Sequence, residues 1–90
     1  MIVKHLLISG RVQGVGYRFE MVENANELGV KGWVRNRRDA TVEAVVAGDE
    51  SAVDKIIAWA HRGPRGASVI DVTITETTGN YDGFDMLPTV

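Results

Sequence analysis

A chain of 90 residues, 44% hydrophobic and 24% charged, has the length of one domain and enough apolar material for a single modest core. Without cysteine it has no disulfide, thiolate metal site or thiol nucleophile, and no apolar run approaches a membrane span. A formal net charge of −2 gives no overall attraction to nucleic acid or to an anionic membrane surface, and the expected setting is the cytoplasm.

The opening MIVKHLLISG is interrupted by Lys4 and His5 and has no cleavage-site pattern, so it is expected to be a strand and not a signal peptide. Leu6, Ile8, Gly10 and Val12 alternate with His5, Leu7, Ser9 and Arg11, the period of a strand with one buried face. From Phe19 to Leu28 the apolar residues Met21, Val22, Ala25 and Leu28 fall at helical spacing, and Gly29 is a suitable stop. Val30 to Arg38 alternates again, Asp39-Ala40 breaks the run, and Thr41 to Ala47 resumes it with Val42, Ala44 and Val46 inward. The pair predicts a β-hairpin. Lys31, Arg35, Arg37 and Arg38 on this segment form either a solvated basic strand or an anion-attracting patch.

Gly48-Asp49-Glu50-Ser51 opens a second helix, its acids placed to favour the first turn, with Val53, Ile56, Ile57 and Ala60 as the buried stripe. Arg62 to Gly66 ends it. Ile70, Val72 and Ile74 predict the inward face of a fourth strand, Thr77 to Gly83 a turn, and Phe84 to Leu87 a short last strand before Pro88. The order β-α-β-β-α-β plus one terminal strand is the ferredoxin-like plan, an α+β sandwich of an antiparallel sheet with both helices on one face. Residues 1–90 are expected to form one domain. This plan hosts many functions, so chemistry must be argued from a site.

The candidate site is the stretch GRVQGVGYR, residues 10–18, between the first strand and the first helix. Glycines allow backbone N–H groups to converge, a helix N-terminus adds unsatisfied donors, and Arg18 at the mouth adds a two-pronged charged donor. Such a concavity suits a tetrahedral anion. The Walker pattern fails because Tyr17-Arg18 follows Gly16, and the dinucleotide pattern fails because Phe19 stands where a glycine is needed. On local composition alone a plain glycine-rich turn stands beside the anion cradle.

GRVQGVGYR resembles the first signature of the acylphosphatase family, G-x-V-Q-G-V-x-aromatic-R, and Gly32-Trp33-Val34-Arg35-Asn36 is similar to its second, G-W-V-x-N. Val42 and Gly48 keep the later spacing of that second signature, and Gly63-Pro64, Ala67-Ser68-Val69 and the ending Leu87 to Val90 extend the resemblance over essentially the whole chain. Two departures stand out: Ala40 where glycine is common in the family's hairpin turn, and Tyr17 where phenylalanine is common.

The resemblance implies hydrolysis of a carboxyl–phosphate bond to a carboxylate and inorganic phosphate. Backbone N–H groups of Gly14, Val15, Gly16, Tyr17 and Arg18 would hold the phosphoryl oxygens, the Arg18 guanidinium would neutralise them, and Asn36 would orient the attacking water. It implies a small acyl phosphate as substrate, phosphate or sulfate as competing anions, a monomer, and no metal, cofactor, nucleic acid or membrane partner. The alternative is a non-catalytic module that binds acyl phosphate, carbamoyl phosphate or another anion. His5 and His61 are expected to be ordinary surface or boundary residues, Gln13 and Tyr17 to shape the loop or pack, and Trp33 and Trp59 to pack. RNA recognition on such a sheet needs exposed aromatics on central strands, and the strand from Leu6 has none.

Overall fold

The computed structural model describes residues 1–90. Its elements are β1 (Ile2–Arg11), α1 (Tyr17–Leu28), β2 (Lys31–Asn36), β3 (Val42–Gly48), α2 (Glu50–Arg62), β4 (Ser68–Glu76) and β5 (Phe84–Met86). The sheet order is β4-β1-β3-β2-β5. The first four strands pair antiparallel, as expected of the ferredoxin-like plan, and β5 adds to the edge parallel to β2. No helix is long and apolar enough to cross a membrane.

Strand alternation sets the core. Leu6 of β1, Ala44 of β3 and Val34 of β2 lie side by side in register, and all three are fully buried. With Ile8, Val42 and Val46 they meet Met21 and Ala25 of α1 and Val53 and Ile56 of α2 in one apolar cluster. Because β3 is central, its other face is also covered, and Glu43, Val45 and Ala47 are buried there.

The elements depart from the sequence expectations in bounds or in buried residues, β3 by a single residue at each end and β5 by a single residue at its last. α1 starts at Tyr17 and not at Phe19, and its buried stripe is Tyr17, Met21 and Ala25; Val22 and Leu28 are only half-buried. In α2, Trp59 joins Val53, Ile56 and Ala60 inside, while Ile57 is half-buried. β2 stops at Asn36, because the Arg37 N–H donates to the Thr41 carbonyl at 2.9 Å and closes a turn.

The larger departure is in β4. Val72 is buried, as expected, but Ile70 is 82% exposed. The register shifts between Ser9 and Gly10: Ser9 faces Asp71, while Gly10 faces Val69. Ile70 is therefore the extra residue of a β-bulge and is turned outward, and Val69 takes the inward position. Ile74 keeps the inward parity, opposite Leu6, yet is 42% exposed because β4 is the sheet edge.

Candidate active site

The strand β1 ends at Arg11 and the chain reaches α1 through Val12 to Gly16. Gly14 and Gly16 both have left-handed backbone, φ 74° and 81°, and a Cβ at either would meet nothing within 4 Å. Conformation and not space therefore calls for glycine at both positions. Gly16 is the N-cap of α1 and offers no side-chain cap, so the first-turn N–H groups remain uncapped. None of the backbone N–H groups from Gly14 to Arg18 donates to another group of the chain. Five donors thus stand free within five consecutive residues, at the positive end of a helix.

The loop borders a cavity of about 250 Å³ lined by Val12, Gln13, Gly14, Gly16, Tyr17, Arg18, Phe19 and Asn36. The fold brings Arg18 and Asn36 to one cavity from α1 and the end of β2. The Arg18 guanidinium makes no ion pair or hydrogen bond within the chain. The Asn36 Oδ1 is buried and has no hydrogen-bond partner. Val15 does not line the cavity; its side chain packs against the core, fixing the loop between the two glycines. A larger cavity of about 590 Å³, between the start of β1 and the end of β4, is lined by Glu76 and by no basic side chain, and holds neither Arg18 nor Asn36.

Two side chains hold this arrangement. Gln13 Nε2 donates to the carbonyls of Arg37 and Thr41, at 2.8 and 2.9 Å, and so ties the loop to the turn that follows Asn36. The Tyr17 hydroxyl donates at 2.7 Å to the Ala60 carbonyl in the last turn of α2, one of the acceptors a helix end leaves unsatisfied. Burial holds the Tyr17 phenol un-ionised, well above its ordinary range. The Asn36 backbone is also held: its carbonyl accepts from Val90 N–H at 3.2 Å, and Arg38 N–H donates to the Val90 oxygen at 2.7 Å. Sequence reasoning gave Gln13 and Tyr17 a shaping role but could not name their acceptors, since backbone carbonyls carry no residue signature.

An acid in the next strand, Glu43, engages part of the basic stretch from Lys31 to Arg38, while Lys31 and Arg38 make no ion pair. Glu43 receives His5 Nε2 at 2.7 Å, Arg35 Nε at 2.8 Å and Arg37 at 3.4 Å. Burial pushes the Glu43 carboxyl up, but the hydrogen bonds from His5 and Arg35 and their charges outweigh it and hold the group below the usual carboxylate range. The Arg35 guanidinium also lies over the Trp33 ring at 4.7 Å. Arg18 lies on the cavity side, outside this cluster.

The acylphosphatase family model matches residues 4–86. The chain belongs to the acylphosphatase family. An acylphosphatase of Thiobacillus denitrificans is 54% identical over 81 residues, covering 90% of this chain and 91% of that relative. The crystal structure of acylphosphatase from Bacillus subtilis superposes with a TM-score of 0.92 at 30% identity, covering 97% of this chain and 99% of that one. A Coxiella burnetii acylphosphatase gives a TM-score of 0.92 at 32% identity over 96% of this chain and 92% of its own. The enzyme activity that goes with acylphosphatase membership is the hydrolysis of acyl phosphates.

Proposed function

We propose that this acylphosphatase binds the phosphoryl group of its substrate on the backbone N–H groups of Gly14, Val15, Gly16, Tyr17 and Arg18. The Arg18 guanidinium neutralises the phosphoryl oxygens, and Asn36 orients the attacking water. The observation that carries this reading is one cavity edged by unengaged N–H donors, an arginine with no acid partner and a buried amide oxygen with no donor. The first two suit a phosphate; the third suits the O–H of a water.

Phosphoryl transfer asks mainly for positioning and charge stabilisation. The leaving group is a carboxylate, stable as an anion, so no general acid is required. Asn36 cannot titrate, so it directs the water, and the proton released goes to the phosphoryl oxygens or to solvent. Residues 1–90 act as one domain, in this reading as a cytoplasmic monomer, with phosphate or sulfate competing for the cradle and no metal taking part.

Steady-state kinetics on acetyl phosphate and benzoyl phosphate test the assignments. Arg18→Ala is expected to lose about 3 kcal/mol or more of transition-state stabilisation, and Arg18→Lys to be badly impaired because the planar fork is lost. Asn36→Ala is expected to lower kcat by about a hundredfold or more while phosphate affinity, measured by calorimetry, is retained. Inorganic phosphate should inhibit competitively, and activity should survive a strong chelator. Near-normal kcat/KM in folded Arg18→Ala would remove the cradle from catalysis; wild-type kcat in Asn36→Ala would remove Asn36 from water orientation.

A further inference from the structure

The apolar side chains around the phosphate cavity differ in what they offer a ligand. Val12 and Tyr17 are each 1% exposed and belong to the core, whereas Phe19 is 65% exposed. The buried stripe of α1 is Tyr17, Met21 and Ala25, so Phe19, two positions after Tyr17, lies on the other side of the helix. Nothing in the packing of the fold requires an aromatic ring there, and helix propensity gives phenylalanine no advantage in a first turn. Phe19 directly follows Arg18 and lines the same cavity.

We infer that Phe19 is a specificity-determining residue, an apolar platform for the acyl group that selects acyl phosphates with a flat or extended apolar acyl moiety over those with a short one. The inference rests on the phosphate cradle proposed above. With the phosphoryl group held by the N–H donors of the loop and by Arg18, the acyl substituent is the part of the substrate that reaches outward to the mouth. An aryl group there stacks on the Phe19 ring and removes apolar surface from water. An acetyl group is too small to cover the ring. The contact persists through the reaction, because the carboxylate leaves with the same substituent attached, so it acts on binding more than on the chemical step.

The test compares kcat/KM for benzoyl phosphate and acetyl phosphate in the wild-type enzyme, Phe19→Ala and Phe19→Leu, with circular dichroism on each and the inhibition constant of inorganic phosphate as a second readout. The benzoyl-to-acetyl ratio is expected to fall about fivefold to tenfold in Phe19→Ala, mostly through KM for benzoyl phosphate, with Phe19→Leu intermediate and phosphate inhibition unchanged. An unchanged ratio in both folded variants, with acetyl phosphate still hydrolysed, overturns the role of Phe19 and leaves the cradle standing. A fall in phosphate affinity equal to the fall in benzoyl phosphate turnover also overturns it, because the ring would then support the loop and not the acyl group. Failure of phosphate to compete in the wild-type enzyme overturns the cradle itself, and the role of Phe19 with it.

Discussion

Ala40 has a φ of 73°, the only non-glycine residue of the chain in the left-handed region. Its turn is held by Asp39, whose Oδ1 accepts from Thr41 Oγ1 at 2.6 Å and Thr41 N–H at 3.1 Å; these hydrogen bonds, with Arg37 nearby, keep the Asp39 carboxyl below its ordinary range. A side chain in left-handed backbone costs about 1–2 kcal/mol, and glycine there loses about 0.4–1 kcal/mol through the unfolded chain. Ala40→Gly should therefore stabilise the protein by up to about 1 kcal/mol, seen as a higher urea midpoint with an unchanged slope. The sequence marks this position as a departure from the family, but the sign of φ belongs to the fold. Arg18 and Asn36 are legible in the sequence because each ends a motif of fixed spacing, whereas the orphaned Oδ1 of Asn36 becomes visible only when β2 is placed beside the loop.

At the scale of elements, the alternation rule located the first four strands, the turn before Phe84 and the proline after Leu87 marked the fifth, and alternation failed where a strand gains a residue. Ile70 was expected inward with Val72 and Ile74, and the bulge opposite Gly10 turns it to solvent. No periodicity reports a bulge, since one extra residue reverses the faces from that point on. Gly10 carries the other half of the irregularity: φ is 120°, and a Cβ would stand 2.2 Å from the Ser68 carbonyl oxygen and 2.8 Å from the Ile70 nitrogen, both backbone atoms. Gly10→Ala should therefore cost at least about 2 kcal/mol, measured by urea unfolding. Since the proposed phosphate loop begins two residues later, the kcat of this variant should fall as well. Full stability in Gly10→Ala would mean that the β1–β4 pairing tolerates re-registration.

Across the whole molecule, Glu43 joins three strands on the sheet face opposite the helices, taking His5 from β1 and Arg35 from β2 while standing on β3. Its carboxyl titrates lower in the folded protein than in the unfolded chain, where glutamate has a pKa of about 4.3. The native state then binds fewer protons than the unfolded state, so the contribution of Glu43 is fully present above that value and is lost as pH falls through the lowered one. Glu43→Gln should cost about 1–3 kcal/mol at pH 7, less than a fully buried pair because its partners are partly exposed, and the difference from wild type should shrink below about pH 4. Thermal melts between pH 3 and pH 7 would show this; a difference independent of pH would reassign the effect to packing. The opposite side of the molecule carries a different long-range tie. Tyr17, at the head of α1, has its ring 5.0 Å from that of Trp59 and its hydroxyl on the Ala60 carbonyl, so the glycine loop before α1 and α2 meet at one joint. In optical terms, the phenol of Tyr17, which lines the cavity, is a donor in contact with the indole of Trp59 behind it, while Trp33, the other indole, sits across the sheet beneath a guanidinium. With Trp33 and Tyr81 both replaced by phenylalanine, Trp59 emission excited through Tyr17 would report whether the head of α1, and the loop that enters it, is seated.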